Sequence, residues 1–373
     1  MTVNAVLRFV TDLVKSWDQR RAVCLGRLAY ALMQGKRLGV AEIGHYVPTD
    51  TSDKHHIKGV DRFLGNDQVD LFSLWAALIA LAAQKLRRLD VLLDWTDLGD
   101  GFEVLKATVS YGGRSQPVAW VTTKKGYYGR SRNLFESNFC KVIKAHLPPG
   151  VELVIIADRG FGRATLFRAL RKANIHFIIR VRKDVHLFHG RGQGALANRS
   201  IARGQVRDLV DAWYGEKARM LVRCVITFGH GTKRNKPKRP WYLVTDLGPD
   251  ACTAEDVVGG YRLRMRIEHD FRDHKSMRFG FQLRSVHLST CDRYDRLLAI
   301  AAVAMLLLVN LGAYVERRGL HRGFKANTDP KRTHSLLHLG LGFLLRIRLR
   351  MPRQRLFTAA FAGALDGQLE GIG

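Results

Sequence analysis

Residues 89–123 read LDVLLDWTDLGDGFEVLKATVSYGGRSQPVAWVTT, and the fold of the chain is decided in this stretch. Three runs, Leu89–Trp95, Phe102–Ser110 and Pro117–Thr122, are rich in apolar, β-branched and aromatic residues and are separated by glycine turns. Runs of this length that are bounded by glycines are typical of β-strands. The stretch therefore predicts three consecutive strands.

The residues that follow add helices and strands in alternation. A helix is predicted from Leu134 to His146, an apolar strand at Val151–Ala157, a helix at Arg163–Asn174 and a strand at Ile175–Val181. An apolar run such as Val151–Ala157 is typical of a strand that is covered on both faces. The resulting order β-β-β-α-β-α-β is expected of a ribonuclease-H-like sheet, so the sequence predicts an α/β fold with a ribonuclease-H-like catalytic core.

The next segment, residues 183–247, changes in composition. It is rich in glycine and basic residues, and includes the cluster KRNKPKRP at 233–240. Alternation in Met220–Phe228 and Trp241–Val244 predicts an inserted antiparallel β unit. After it, Thr253 is expected to cap a long helix that runs to about Lys275.

The first 70 residues lack strand alternation and predict short helices over roughly 4–17, 20–34 and 40–46 and from about 52. In the last of these helices Ile57, Val60 and Leu64 share one face. Lys54, Lys58 and Arg62 recur four residues apart on another face. An apolar face and a cationic face on one helix predict an N-terminal helical DNA-binding domain, in which these three cations contact DNA.

The whole chain carries a large positive charge. Its 373 residues include 61 Lys and Arg against 33 Asp and Glu, a formal net charge of +28, while 46% of the residues are hydrophobic. That apolar content excludes a disordered basic tail and indicates a packed protein. The excess of cations favours a polyanionic partner, most commonly nucleic acid, over the alternative of a basic enzyme without such a partner.

The cysteines and the apolar segments indicate whether the protein is secreted, inserted in a membrane or cytoplasmic. The five cysteines are odd in number, lie far apart and never form a CxxC pair, so neither a disulfide framework nor a structural zinc site is indicated. The N-terminus does not resemble a secretion signal. The apolar run 297–315 approaches the length of a membrane span, but arginines flank both of its ends, and a buried core helix at 293–315 is the favoured interpretation.

These patterns predict five segments along the chain. They are a helical DNA-binding domain at 1–70, the first part of the core at 71–182, the inserted β unit at 183–247, the second part of the core at 248–345 and a basic C-terminal tail at 346–373.

Three acidic residues occupy positions where an α/β sheet can bring them together. Asp94 interrupts an apolar strand, Asp158 ends another, and Glu268 lies on the long helix after the insertion. A charge at the end of a buried strand is costly unless it is paired or binds metal. Carboxylates are the ligands that Mg²⁺ prefers, and three of them could hold two ions. Nearby Asp90 lies beside Arg88 at the start of the strand and is a weaker candidate.

The predicted helix at 253–275 places four functional side chains on one stripe. Tyr261, Arg264, Glu268 and Lys275 are separated by three, four and seven residues, which are spacings of one helical face. A carboxylate flanked by cations and a phenol is unusual for a core face. The combination suits a metal ligand beside donors to phosphate oxygens.

The motif YRLRMRIEHDFRDHK at 261–275 resembles the Y-R-E-K signature of the bacterial insertion-sequence transposases of the "insertion sequence four" family. LLDWTDL at 92–98 and IADRGFG at 156–162 resemble the first and second aspartate motifs of that family. HIKGVDRFLGN at 56–66, RPWYLVTDL at 239–247 and SVHLSTCDRYDRLLAI at 285–300 resemble further parts of it, so the likeness spans most of the chain.

The resemblance implies a DDE transposase in which Asp94, Asp158 and Glu268 form the catalytic, metal-binding triad. It implies that Tyr261, Arg264 and Lys275 bind DNA phosphates and that Trp241 stacks on a flipped base. The implied reaction is Mg²⁺-dependent cut-and-paste transposition through strand cleavage, hairpin formation and strand transfer, with two Mg²⁺ ions and with Mn²⁺ as an expected substitute. The implied partners are the terminal inverted repeats and target DNA, bound by a homodimer in the bacterial cytoplasm, at the nucleoid, without a membrane.

Other interpretations of the same residues remain open. Asp94 could pair with a nearby arginine, Asp158 could cap the turn that follows it, Glu268 could be a surface glutamate, and Trp241 could pack on the sheet. The cationic stripe at 54–62 could be a solvated helix face. At the level of function, the alternatives are a structure-specific ribonuclease-H-like nuclease without strand transfer and a non-catalytic DNA-binding regulator.

Overall fold

Most of the chain up to residue 350 is described by a computed structural model. The described residues are 3–190, 192–199, 201, 202, 204–217, 219–228, 240–275, 281–325, 328 and 331–350. The basic residues at 233–239 and the tail beyond 350 lie outside the described residues, as do the side chains of Lys275 and of residues 347–350.

Five helices occupy the N-terminal 83 residues. The last of them carries Asp70 as its N-cap, whose side chain accepts a hydrogen bond from the backbone N–H of Ser73. Their apolar faces join one hydrophobic cluster that continues into the rest of the molecule. The helices are α1 (Val3–Leu13), α2 (Gln19–Gly35), α3 (Val40–Gly44), α4 (Asp53–Gly65) and α5 (Leu71–Ala83).

The strands predicted around residues 89–123 are the first three of a large mixed sheet. In the described part of the chain the sheet has ten strands in the order β3-β2-β1-β4-β5-β10-β9-β8-β6-β7. The first five strands are β1 (Arg88–Gly99), β2 (Phe102–Tyr111), β3 (Arg114–Lys124), β4 (Glu152–Ala157) and β5 (His176–Arg180). Helices α6 (Arg132–Ala145) and α7 (Ala164–Lys172) connect them.

Strands β1, β4 and β5 are parallel neighbours, and the remaining pairs are antiparallel. The segment expected to form an inserted β unit extends this sheet, because β10 pairs with β5. Strands at residues 186–214 were not predicted. The second five strands are β6 (His186–His189), β7 (Gly192–Ala195), β8 (Val206–Tyr214), β9 (Met220–Phe228) and β10 (Pro240–Thr245).

The helix expected from Thr253 to Lys275 is broken into α8 (Ala254–Leu263) and α9 (Met265–Lys275). Thr253 caps α8 as predicted, in a reciprocal capping box with Asp256. At the break the Arg264 N–H bonds to the Tyr261 carbonyl and the Ile267 N–H bonds to the Arg264 carbonyl, both at 3.1 Å. These three-residue steps tighten the turn and separate the two helices.

Helices cover the sheet on both faces. One face, at β1, β4, β5, β9 and β10, packs against α8 and α9 through a small apolar cluster. The other face packs against the large cluster that holds α5, α10 (Cys291–Arg317) and α11 (Leu336–Arg350). Within the described residues α10 alone is long and apolar enough to cross a membrane, and 94% of its apolar window is buried inside the fold. That burial is typical of a core helix.

Candidate active site

Sheet register brings Asp94 and Asp158 to one face. Strands β1 and β4 run parallel, with Leu92 opposite Ile156, and both of these residues belong to the cluster under α8 and α9. Side chains two residues apart on a strand share a face. Asp94 and Asp158 therefore emerge on the α8–α9 side, just beyond the Leu93–Ala157 pair that ends the β1–β4 ladder.

Asp94 lies where the ionisation of its carboxyl group is disfavoured. Its side chain is 21% exposed. Burial and the nearby charge of Asp158 raise the pKa of Asp94 to about 7, whereas Arg264 and a hydrogen bond from the Trp95 backbone N–H act in the opposite direction. A carboxyl group whose ionisation is disfavoured by burial and by a neighbouring carboxylate marks a place where a cation binds favourably.

Asp158 also shapes the turn that follows β4. Its Oδ1 atom accepts a hydrogen bond of 2.7 Å from the Gly160 N–H and caps the short 3₁₀ turn Arg159–Phe161. The turn-capping interpretation of Asp158 is therefore confirmed. It is compatible with a role in the site, since a carboxylate accepts several partners at once.

Arg264 connects the aspartates to the helix side. Its guanidinium Nη1 lies 3.3 Å from Asp94 Oδ2, and its Nη2 lies 2.7 Å from Glu268 Oε1. Arg264 is buried, while the Glu268 side chain is 49% exposed. The Arg264 guanidinium therefore lies between Asp94 and Glu268.

Tyr261 is buried on α8, in the apolar cluster between the sheet and helices α8 and α9. Its ring meets the Trp241 ring edge-to-face, with centroids 5.0 Å apart, and the Arg264 guanidinium lies 5.9 Å from the Tyr261 centroid. Burial raises the pKa of Tyr261, whereas the nearby charges of Arg264 and Arg180 act in the opposite direction. Trp241 is half-buried and stands on β10 beside this group. Both interpretations of Trp241, packing on the fold and contacting a base, are consistent with that position.

Four further residues, Lys275 and three cations of α4, were predicted from sequence to bind DNA. Lys275 is the last residue of α9. Lys54, Lys58 and Arg62 are exposed on α4, whose opposite face is buried. The described contacts include no hydrogen bond or ion pair from these three cations to the acids of the site.

Three further groups were missed in the sequence. Arg180 ends β5 next to Tyr261. Glu136 is fully buried in α6, where its Oε1 atom accepts hydrogen bonds of 2.8 Å from the Trp95 indole and from Arg132. Arg163 also donates to Glu136 and to the Gly160 carbonyl. Glu136 therefore ties the residue after Asp94 to the loop after Asp158.

The third group holds α9 against the sheet. Lys106 stands directly opposite Asp94 in the β1–β2 register and is only 2% exposed. Its Nζ lies 2.6 Å from Asp270 Oδ2, and His274 Nδ1 lies 3.2 Å from Asp270 Oδ1. The alternation of strand residues could have marked Lys106, because it is a charge within a buried strand.

Two of the three acidic residues are arranged in a way that suits a hard divalent cation. Among the described residues no group of three or more His, Cys, Asp and Glu side chains is arranged to hold a metal ion. Asp94 and Asp158 are two carboxylates on one face, and Mg²⁺ is usually held by one or two carboxylates with water and substrate phosphate. Glu268 is paired with Arg264 and is not grouped with the two aspartates.

The chain matches a protein-family model over more than half of its length. The model of the family described as "Transposase DDE domain" matches residues 100–307, which is 307 − 100 + 1 = 208 of the 373 residues. The matched region includes Asp158, Trp241 and Glu268 and begins six residues after Asp94. No curated protein shows significant similarity to the chain.

Proposed function

The chain belongs to the transposase DDE-domain family, and from that premise we propose that it performs cut-and-paste transposition as a member of the "insertion sequence four" group. Membership makes it a transposase that binds DNA, in a family of DNA-cleaving enzymes that use divalent metal ions. The finer assignment is supported by the Y-R-E-K spacing at Tyr261, Arg264, Glu268 and Lys275.

One observation carries the proposal. The β1–β4 register directs Asp94 and Asp158 to the face where Arg264 joins Asp94 to Glu268. These three acids would hold two Mg²⁺ ions, or Mn²⁺ in their place. When bound, such ions supply activation of an attacking oxygen and stabilisation of a leaving oxygen. Release of Glu268 from Arg264 would bring the third carboxylate into the group.

The other side chains would position the DNA. Arg264 and Lys275 would contact phosphate oxygens, Tyr261 and Arg180 would support that surface, and Trp241 would stack on a flipped base. Trp241 already presents a half-buried ring beside Tyr261. The N-terminal helices would hold the terminal repeat through the cations of α4, and two copies of the chain would pair two ends at the nucleoid in the cytoplasm.

We propose the following order of bond changes. Water attacks a phosphodiester at the end of the element, and the broken P–O bond leaves a 3′ hydroxyl. That hydroxyl attacks the opposite strand and forms a hairpin, a second water opens the hairpin, and the 3′ hydroxyl then joins target DNA. Each step forms one P–O bond and breaks another.

The test is cleavage of a labelled duplex that carries the inverted repeat flanking the coding region. Asp94→Asn, Asp158→Asn and Glu268→Gln should each slow Mg²⁺-dependent nicking by roughly two orders of magnitude or more. Asp90→Asn is the matched control, because Asp90 lies on the same face of β1 but pairs with Arg88 at 2.7 Å. Unchanged nicking by all three variants would refute the assignment.

Two further outcomes identify the alternatives. Nicking without joining of a precut 3′ end to plasmid DNA would indicate a nuclease without strand transfer. Binding of the duplex without any metal-dependent nicking would indicate a regulator.

A further inference from the structure

A nine-residue loop next to the active site combines cations with tyrosines. Residues 124–132, here called the tyrosine loop, read KKGYYGRSR and run from the last residue of β3 to the first residue of α6. The loop contains four basic residues, two tyrosines and no acid. Basic residues interleaved with aromatic rings are typical of surfaces that bind nucleic acid.

The tip of the tyrosine loop is open to solvent. Tyr127 is 70% exposed, the largest value among the exposed large hydrophobic side chains of the described residues. Lys124, Lys125 and Arg130 are exposed around it. Most of the Tyr127 ring is therefore accessible to a ligand.

The loop is nevertheless held in a defined shape. The Gly126 N–H and the Tyr128 hydroxyl donate to the same Glu103 oxygen, at 3.1 and 2.7 Å. The Lys125 N–H donates to the Gly101 carbonyl at 2.7 Å. Because these bonds exist before any ligand arrives, binding at the loop tip costs little ordering entropy.

The tyrosine loop contacts β1 at the residue that follows Asp94. Trp95 follows Asp94 and, because strand side chains alternate, points to the other face of the sheet. There its ring meets the Tyr128 ring at a centroid distance of 5.5 Å, and the Arg132 guanidinium lies 5.2 Å from the Trp95 ring. The tyrosine loop therefore contacts β1 one residue away from Asp94, on the face of the sheet opposite to that carboxylate.

We propose that the tyrosine loop binds an unpaired DNA strand next to the active site. Tyr127 stacks on a base, and Lys124 and Arg130 contact the phosphates on either side. Stacking on an exposed ring requires a base that is not covered by its neighbours in a duplex, whereas every base offers a face to such a ring. This inference rests on the proposed function for the statement that DNA strands are separated at the site.

The experiment measures the affinity of the full chain by fluorescence anisotropy in EDTA, so that no cleavage occurs. The probes are a labelled oligothymidine of about 20 nucleotides and a duplex of the same length. Tyr127→Ala should weaken binding of the oligothymidine by about 5- to 150-fold, the range for loss of one stacked base, and should change duplex binding by less than about twofold. Tyr127→Phe should bind like wild type.

Phe72→Ala is the control for loss of an exposed ring, since Phe72 is 54% exposed on α5, and it should leave both affinities unchanged. Wild-type affinity of Tyr127→Ala for the oligothymidine would overturn the proposal, as would equal weakening by Tyr127→Phe. Failure of the wild-type chain to nick the terminal-repeat duplex would count against the proposed function alone, because the oligothymidine assay needs neither metal nor cleavage.

Discussion

Glu136 is a single buried carboxylate that connects the segments next to Asp94 and Asp158. It receives hydrogen bonds from Trp95, Arg132 and Arg163, which come from a strand, its own helix and the loop after Asp158. A buried carboxylate that lacked these donors would be strongly destabilising. Because the donors supply the compensation, strand β1 next to Asp94 and the loop after Asp158 are fixed relative to each other.

Replacing Glu136 should therefore cost stability as well as alignment. Glu136→Ala leaves the Trp95 indole and two part-exposed guanidinium groups without their partner and should lower the free energy of unfolding by roughly 1–3 kcal/mol. Glu136→Gln should cost less, since its amide oxygen still accepts from Trp95. Urea unfolding measures both changes. Glu152→Ala, which removes an exposed carboxylate from β4, is the control and should change stability by less than about 0.5 kcal/mol.

An unfolding midpoint of Glu136→Ala equal to that of wild type would contradict this account of Glu136. Such a result would mean that Arg132 and Arg163 find equivalent partners in solvent.

Among single residues, only those that stand out in a local sequence pattern could be predicted. Asp94 and Asp158 could be predicted because each ends or interrupts an apolar strand. The Arg132–Glu136 pair has helical spacing, but Trp95 and Arg163 lie 41 and 27 residues from Glu136 along the chain. Long-range partners of this kind are determined by the packing of separate elements, so spacing does not reveal them.

Helices α10 and α11 touch backbone to backbone. A Cβ atom built on Gly312 would lie 1.9 Å from the Leu336 carbonyl oxygen, and one built on Gly340 would lie 2.0 Å from the Leu308 carbonyl oxygen. Both distances are far below van der Waals contact. The two glycines therefore allow the close approach of the helices.

Gly312→Ala and Gly340→Ala should each destabilise the protein by roughly 1–3 kcal/mol, because the added methyl group forces the helices apart. The control is Gly259→Ala in α8, where a Cβ atom would have no neighbour within 4 Å. There alanine should stabilise the protein by about 0.5–1 kcal/mol through its better helix propensity. Thermal unfolding of the three variants measures both signs. A gain in stability at Gly312 would show that the helices are not in contact.

The elements themselves were predictable to different degrees. Strands β1 to β5 and helices α6 and α10 were predicted because their apolar patterns are long and are bounded by turn residues. The break at Arg264 was not predicted, because the residues around it are good helix formers and the break consists of two tightened backbone bonds. Strand β8 was missed because most of its residues are exposed and it contains Asp208 and Asp211.

The net charge of +28 acts through its distribution over the whole molecule. Part of it lies on the exposed face of α4, where Lys54, Lys58 and Arg62 follow one another at helical spacing. Helix α4 is anchored to α10 by the Arg293–Asp61 ion pair and by a 2.8 Å hydrogen bond from Arg296 to the Leu64 carbonyl. A firmly held row of cations of this kind matches a DNA backbone.

If this row binds DNA, replacing all three cations by alanine should weaken duplex binding and reduce the slope of log affinity against log salt by up to about 3. Titrations at several salt concentrations measure the slope. The control removes the same charge from exposed sites outside α4, Lys15, Lys141 and Lys172, and should leave the slope nearly unchanged. Equal slopes for the two triple variants would show that α4 has no special part in binding.

The central position of α10 has a consequence for how the protein is made. The apolar faces of α2, α4 and α5 pack against this helix, yet α4 ends at Gly65 and α10 ends at Arg317, 317 − 65 = 252 residues later. At a synthesis rate of roughly 5–20 residues per second, the early helices wait on the order of tens of seconds for their partner. During that time their apolar faces are exposed on the ribosome-bound chain and are open to chaperones, so each copy becomes active only after most of its own translation is complete.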